Sequence, residues 1–152
     1  MAMQHWLMKS EPGNYSIDDL KADRVTWWDG VRNYQVRNMM RDDFQKGDLA
    51  FFYHSECKEP GIVGIMTICS VAYPDPTAFD PKEKYFDPKS DPENPRWLMM
   101  DVRYRRKLKR PISLKELRAH DELAEMPLLR WGNRLSISPV TPGQWVFIMG
   151  LE

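Results

Sequence analysis

Five separate segments are rich in apolar residues at lengths typical of β-strands, and the alternation of apolar and polar side chains is clearest in residues 97–108. Residues 62–72 differ in carrying apolar side chains on both faces, which predicts the most buried strand of the set. Gly64 within this segment predicts a bend or bulge that lets a sheet curl. The predicted strands are residues 5–9, 49–55, 62–72, 97–108 and 135–139.

Capping residues placed before amphipathic segments predict short helices between the strands. Ser113 with Glu116 has the spacing of a capping box. The predicted helices are residues 17–22, 34–44, 114–120 and 142–150, with a helical turn at 126–131, and the predicted N-caps are Ser16, Asn33, Ser113 and Thr141. Residues 73–95, with six of the twelve prolines, predict a long ordered or semi-ordered loop. The pattern favours an α+β fold, a small curled sheet or barrel.

Length and charge narrow the functional classes. A chain of 152 residues that is 42% apolar and 29% charged is typical of one globular domain. Its 22 basic and 22 acidic residues cancel, which excludes a bulk polyanion binder of the histone kind. Any affinity for nucleic acid must therefore come from a local patch or a specific pocket.

No basic leader followed by an apolar run opens the chain, and no segment reaches the ~20 apolar residues needed to span a bilayer. An intracellular location is therefore expected. Cys57 and Cys69 are then more typical of free thiols, although their positions flanking a predicted hairpin leave a disulfide open. His54 and Cys57 have no second pair at metal-ligand spacing, so a hydrogen-bonded or structural histidine is the favoured interpretation.

Residues 27–38, WWDGVRNYQVRN, place two indoles before an Asp-Gly turn and predict a binding cleft with an aromatic wall. Trp27 and Trp28 are adjacent in an extended segment, so their side chains point in opposite directions. At most one of them is therefore expected to enter the core, which leaves the other free to line a cleft and to stack on a base. The alternative is that both indoles simply pack.

Two polar segments add candidate chemistry. Lys9-Ser10-Glu11 ends a strand, where side chains at a sheet rim can recognise the polar edge of a planar ligand, although Ser-Glu-Pro is also a plain strand terminator. Residues 103–110 contain six basic side chains in eight positions. They can contact phosphates or form a solvated face paired with neighbouring acids.

Seven motifs together resemble an EVE domain of the thymocyte nuclear protein type. They are WLMKSEP (6–12), WDGVRNYQVRN (28–38), GDLAFFYHS (47–55), GIVGI (61–65), YPD (73–75), RPISLKEL (110–117) and RLSISPVT (134–141). The resemblance covers nearly the whole chain in order, with Val36 standing where the family usually has Ala. It implies one domain over residues 1–152 with a PUA-like curled mixed sheet or pseudo-barrel of about five or six strands.

The resemblance also implies a function, a non-catalytic module that binds a modified base in nucleic acid, with modified cytosine in DNA the leading ligand. It places the ligand site on Lys9, Ser10, Glu11, Trp28, Asp29, Gly30, Val31, Arg32, Asn33, His54, Ser55 and Arg134. Trp28 is then the expected stacking platform, and Trp27 is its expected partner in the core. The basic segment supplies expected phosphate contacts at Arg103, Arg105 and Lys107. No cofactor, metal or membrane is implied, and a monomer is expected in the cytoplasm, or in the nucleus of a eukaryote.

Two rival functions use the same cleft. One is an enzyme acting on nucleic acid or a nucleotide, with Asp29, Glu11 or His54 as general base. The other is a small-molecule sensor that binds the free nucleoside.

Overall fold

The computed structural model describes residues 3–152. Its strands are β1 (His5–Ser10), β2 (Val25–Trp28), β3 (Leu49–His54), β4 (Gly61–Ile68), β5 (Tyr73–Pro74), β6 (Leu98–Ser113) and β7 (Ile137–Val140). Its helices are α1 (Ile17–Asp23), α2 (Tyr34–Asp42), α3 (Leu114–Arg118) and α4 (Pro142–Met149). Single 3-10 turns lie at Pro76–Ala78, Asp121–Leu123 and Pro127–Leu129.

The strands form one mixed sheet in the order β2-β6-β4-β3-β1-β7, with β5 paired to β6 beside this path. Strands β1 and β3 are parallel, and every other pairing is antiparallel. Within residues 3–152 the end strands β2 and β7 do not pair with each other, so the curled sheet stays open. The predicted α+β, PUA-like architecture is confirmed, with two more strands, β2 and β5, than the hydrophobic pattern indicates.

Both faces of the central strands are buried. In β1, Trp6 and Met8 pack on the side covered by α1 and α2, whereas Leu7 packs on the side covered by α3 and α4, as predicted. Phe52 and Phe51 divide in the same way in β3. Burial of one such side chain contributes about 1.5–3 kcal/mol. The apolar side chains of the two clusters therefore stay in the core, and the residues at the strand ends are the ones that can reach the sheet rim.

The glycine bend is confirmed. Against β6 the pairing of β4 shifts register on both sides of Gly64, and against β3 it shifts once, between Ile62 and Gly64. A Cβ at Gly64 would lie 2.4 Å from Cδ1 of Ile17. The absent side chain therefore lets α1 pack directly onto the bend.

All four predicted N-caps accept a hydrogen bond from the first turn of their helices. The capping box predicted at Ser113 is incomplete, because both carboxylate oxygens of Glu116 accept from Arg110 at 2.7 Å. The helix also ends earlier than predicted, at Arg118.

The loop between β5 and β6, residues 75–97, is ordered by a repeated local motif, and we call it the Asp-Pro loop. Four Asp-Pro steps each place an aspartate oxygen 2.9 Å from the backbone N–H two residues further on. Such Asx turns satisfy backbone donors that no strand can reach. The aspartates are Asp75, Asp80, Asp87 and Asp91.

Candidate nucleic-acid interface

The open side of the curled sheet holds a cleft of about 980 Å³, which we call the seam cleft. One wall comes from β2 and the turn after it, and the opposite wall from the end of β1 and the segment before β7. Its lining is Lys9, Ser10, Glu11, Asn14, Tyr15, Asp23, Thr26, Trp27, Trp28, Asp29, Ser55, Glu56, Lys84, Tyr85, Asn133, Arg134 and Ser136. Its volume falls within the range of small-molecule pockets.

Seven of the twelve predicted ligand residues lie in this lining. They are Lys9, Ser10, Glu11, Trp28, Asp29, Ser55 and Arg134. The other five, Gly30, Val31, Arg32, Asn33 and His54, lie outside it. The structure thus brings together the strand ends that the sequence singled out, and it separates them from most of the turn after Asp29.

The placement of Trp27 in the core is wrong. Trp27 is 59% exposed at the cleft, whereas Trp28 is 9% exposed and packs edge-on against Phe52 at 5.6 Å between ring centroids. The cause is the register of β2 on β6, which sets Trp28 opposite the buried Met100 and Trp27 opposite Asp101. Both indoles still line the cleft, and Trp27 offers the larger ring surface.

The β1 side of the cleft is polar and partly committed. The Ser10 hydroxyl donates to the carbonyl of Tyr15 at 2.6 Å, so toward a ligand it remains an acceptor. Glu11 accepts from Asn14 at 2.7 Å. Burial lowers the pKa of Lys9, although the charge of Glu56 partly opposes this shift. Among residues 3–152 the Lys9 ammonium makes no hydrogen bond or ion pair, which leaves a half-buried donor facing the cleft.

Arg32 is committed to the protein itself. Its guanidinium donates to Asp75 at 3.1 Å, to the carbonyl of Tyr85 at 2.8 Å and to Thr77 at 3.2 Å. The N–H of Gly30 also donates to Asp75, at 2.9 Å. Together these bonds fasten the Asp-Pro loop to the turn after β2 and place Tyr85 in the cleft wall.

The three remaining predicted residues have structural partners. Val31 is buried in the core beneath α2, and Asn33 caps that helix by accepting from the N–H of Val36. Nε2 of His54 accepts from the N–H of Ile17 at 3.1 Å, which confirms the interpretation of His54 as a hydrogen-bonded histidine.

His54 should make folding sensitive to mild acid. Burial lowers its pKa, with Asp18 opposing and Lys107 reinforcing the shift. The unfolded chain therefore binds this proton more readily, and stability falls as the pH drops through the unfolded pKa of about 6.5. The test is urea unfolding of wild type and His54→Gln at about pH 7.5 and about pH 5.5. The glutamine amide oxygen can accept the same bond but does not titrate, so the variant should lose less stability between the two pH values than the wild type. Equal losses in the two proteins would contradict this assignment.

Several residues that line the seam cleft were not predicted from the sequence. Tyr85 and Lys84 come from the Asp-Pro loop, and Asn133 and Ser136 come from the segment before β7. An aromatic residue inside a polar loop was the one feature of the sequence that could have indicated Tyr85. The direction in which the loop packs depends on the hydrogen bond from Arg32 to the carbonyl of Tyr85, which the sequence does not reveal.

Arg103, Arg105 and Lys107 are all exposed on β6, but the prediction that they share one face is wrong. The pairing of β6 with β4 shifts register between Tyr104 and Arg106, so Lys107 lies on the side of α1 and Arg103 on the other side. Lys107 is paired with Asp18 at 2.9 Å. Within residues 3–152 neither Arg103 nor Arg105 forms an ion pair. Arg103 lies opposite Val25, two residue pairs along from Trp27, so the Trp27 indole and Arg103 share one face of the sheet.

Other chemistries find no support in the described residues. Between Met3 and Glu152 no group of three or more His, Cys, Asp or Glu side chains could hold a metal ion. Cys57 and Cys69 are both free thiols, so the disulfide that the sequence left open is not formed. No helix in this range is long and apolar enough to cross a membrane.

The fold and the cleft define a class, the PUA-like domains, with an open curled sheet and a ligand-sized cavity at its opening. The EVE domain family model matches residues 4–151, and the chain belongs to the EVE domain family. Human thymocyte nuclear protein 1 is 46% identical over 97% of this chain and 73% of its own length. The chicken protein of that name is also 46% identical, over 97% of this chain and 68% of its own length.

Solved structures of similar proteins have the same fold as this chain. A protein from Pseudomonas syringae superposes with a TM-score of 0.94 at 47% identity, covering 97% of this chain and 98% of its own. Human THYN1 in complex with DNA containing 5-methylcytosine superposes with a TM-score of 0.92 at 45% identity, covering 97% of this chain and 96% of its own.

Proposed function

We propose that this protein is a non-catalytic module that binds a modified cytosine in DNA by taking the base into the seam cleft. The observation that carries the proposal is the cleft itself, lined by two indoles and open at the unclosed side of a sheet. The same fold in human THYN1 is solved with DNA containing 5-methylcytosine.

The geometry suggests how a nucleotide would lie. An extruded base enters between the β2 wall and the β1 wall, with Trp27 as the exposed stacking surface and Trp28 beneath it. Stacking on an aromatic side chain contributes about 1–3 kcal/mol per base. Phosphates then follow the surface shared by Trp27 and Arg103, and continue to Arg105. Such contacts add affinity that depends on salt and not on sequence.

Two of the three candidate general bases of the enzymatic alternative already accept hydrogen bonds within the chain. Nε2 of His54 is already occupied by the N–H of Ile17, so its neutral ring has no free base toward the cleft. Glu11 is held by Asn14, and the Ser10 hydroxyl proton is used within the chain. Among the described lining residues no nucleophilic side chain is paired with a base and an orienting third group, which is the arrangement that covalent catalysis uses.

The test is a titration of short oligonucleotides that differ in one central base. Burying a methyl group contributes about 0.8 kcal/mol, so 5-methylcytosine should bind about fourfold or more tightly than cytosine. Extruding a base from a duplex costs a few kcal/mol, so the single strand should bind more tightly than the duplex. Equal affinity for the modified and plain strands would overturn the proposal.

Three further arms separate the alternatives. Free 5-methyldeoxycytidine binding as tightly as the oligonucleotide would favour a small-molecule sensor, and conversion of the base seen by mass spectrometry would favour an enzyme. An RNA strand of the same sequence tests binding to RNA.

Light scattering during the titration tests the expected monomer. A cytoplasmic location, nuclear in a eukaryote, remains a prediction for imaging of the tagged protein.

A further inference from the structure

A cleft that favours a 5-methyl group faces a second selection problem. Thymine carries the same methyl group as 5-methylcytosine and occurs throughout DNA. The two bases differ at ring position 4, where cytosine presents an amino donor and thymine presents a carbonyl acceptor. An apolar wall cannot distinguish them, so the selection requires a hydrogen-bond acceptor aimed at that position.

Asp29 is the side chain placed for this task. It follows directly after β2, lies half-buried in the cleft lining, and adjoins both indoles that would bracket the base. Burial and the nearby charge of Asp75 raise its pKa, whereas its own backbone N–H and the Trp27 side chain partly oppose this by stabilising the charged form. A carboxylate accepts up to about four hydrogen bonds, so the Trp27 contact leaves acceptor positions free.

The other acidic side chains of the lining are less suited. Glu11 follows β1 on the opposite wall and is bound by Asn14, and Asp23 is exposed and accepts from the Tyr15 hydroxyl at 2.8 Å. Glu56 lies beyond the end of β3, on the same side as Lys9, whose ammonium it influences. Asp29 is the carboxylate on the indole side.

Lys9 supplies the complementary donor from the opposite wall. Its half-buried ammonium has no hydrogen-bond or ion-pair partner among residues 3–152 and faces the same cleft. The carbonyl at ring position 2, which cytosine and thymine share, can accept from it. Lys9 therefore orients either pyrimidine, and the choice between them falls to Asp29.

We propose that Asp29 is the specificity-determining residue that selects 5-methylcytosine over thymine by accepting from the 4-amino group and repelling the 4-carbonyl of thymine. This inference rests on the proposed function, since it assumes that the base occupies the seam cleft. It assigns Asp29 a part in choosing the ligand and none in holding the phosphate.

The test compares oligonucleotides with 5-methylcytosine, cytosine or thymine at one position, bound to wild type and to Asp29→Asn. The asparagine amide can turn to present either an acceptor or a donor, so it suits both bases. The ratio of affinities for 5-methylcytosine over thymine should fall about tenfold in the variant. The ratio for 5-methylcytosine over cytosine, which reports the methyl group, should change little.

Glu83→Gln is the matched control, because Glu83 also contributes negative charge near Asp29 but does not line the cleft. It should leave both ratios unchanged, and a fall equal to that of Asp29→Asn would reassign the effect to general electrostatics and overturn the proposal. An unchanged thymine ratio in Asp29→Asn would also overturn it. Failure of the wild type to separate 5-methylcytosine from cytosine would instead count against the proposed function. Thermal unfolding of each variant confirms that a folded protein is being compared.

Discussion

Replacing Arg32 with methionine should lower the free energy of unfolding by about 3 kcal/mol. The side chain of its partner Asp75 is completely buried, and within residues 3–152 Arg32 is the cation that pairs with it. Removing the cation leaves a buried carboxylate held only by hydrogen bonds from Gly30 and Thr77. We take the lower end of the usual 3–5 kcal/mol because the Arg32 side chain is one-fifth exposed.

Urea unfolding followed by tryptophan fluorescence measures this loss, and Arg41→Met is the matched control. Arg41 pairs with Asp42 at 2.8 Å, but both side chains are more than half exposed, so that change should cost less than about 1 kcal/mol. Adding Asp75→Asn to Arg32→Met should recover part of the loss, since the buried charge is then gone. Similar losses in the two arginine variants would show that Asp75 does not depend on Arg32.

The acid sensitivity of this pair has a definite sign. Burial raises the pKa of Asp75, but hydrogen bonds from Thr77, Gly30 and Arg32 outweigh burial and hold it below the usual value. A lowered carboxyl pKa stabilises the fold above the unfolded pKa, and that stability is lost as the pH falls through the folded pKa. The Arg32→Met variant should lose part of this dependence, because the hydrogen bonds from Thr77 and Gly30 remain.

The same bonds connect stability to the cleft. Arg32 donates to the carbonyl of Tyr85, and a Cβ on Gly30 would lie 2.6 Å from the Tyr85 ring. Gly30 has a φ of +78°, which favours glycine independently of the contact. The turn after β2 therefore serves the site by positioning the Asp-Pro loop, which brings Tyr85 and Lys84 into the wall.

Local signals in the sequence predicted local structure well. The caps at Ser16 and Thr141 depend on residues three positions apart, and their capping boxes form as expected. Alternation likewise placed Trp6 and Leu7 on opposite sides of the sheet. The bend at Gly64 followed from the glycine itself.

Interactions between distant segments were what the sequence could not supply. Strand β2 has four residues, and its pairing with β6 spans about seventy positions of chain, so its pattern alone is too short to identify it. The partner of Arg32 lies 43 residues away in a loop without apolar periodicity. Two of the predicted ligand residues, Arg32 and Asn33, have the polar side chains expected in a site, yet both are bonded within the fold.

Trp27 and Trp28 also show that the sequence alone does not determine how distant strands pair. Alternation requires Trp27 and Trp28 to point in opposite directions, but the choice between core and cleft depends on register against β6. A shift of one residue would exchange their places. The sequence could therefore establish that one indole is buried without establishing which one.

Alanine at these neighbouring positions should give two opposite results. Trp28→Ala should lower the free energy of unfolding by about 3–5 kcal/mol, because it empties a buried site against Phe52. Trp27→Ala should change stability by less than about 0.5 kcal/mol, since the side chain is largely exposed. It should weaken binding of a 5-methylcytosine strand by about 1–3 kcal/mol through loss of stacking.

Urea unfolding and oligonucleotide titration of the same preparations separate the two effects. Trp28→Phe keeps an aromatic ring in the core, so it tests binding in a protein that remains folded. If Trp27→Ala binds within about twofold of wild type while Trp28→Phe loses discrimination, the stacking platform is Trp28, and the small exposed part of its ring is sufficient. If Trp27→Ala loses binding and keeps its stability, the base lies against the outer indole, and the exposed Arg103, which shares a face of the sheet with Trp27, is then expected to contact its phosphates.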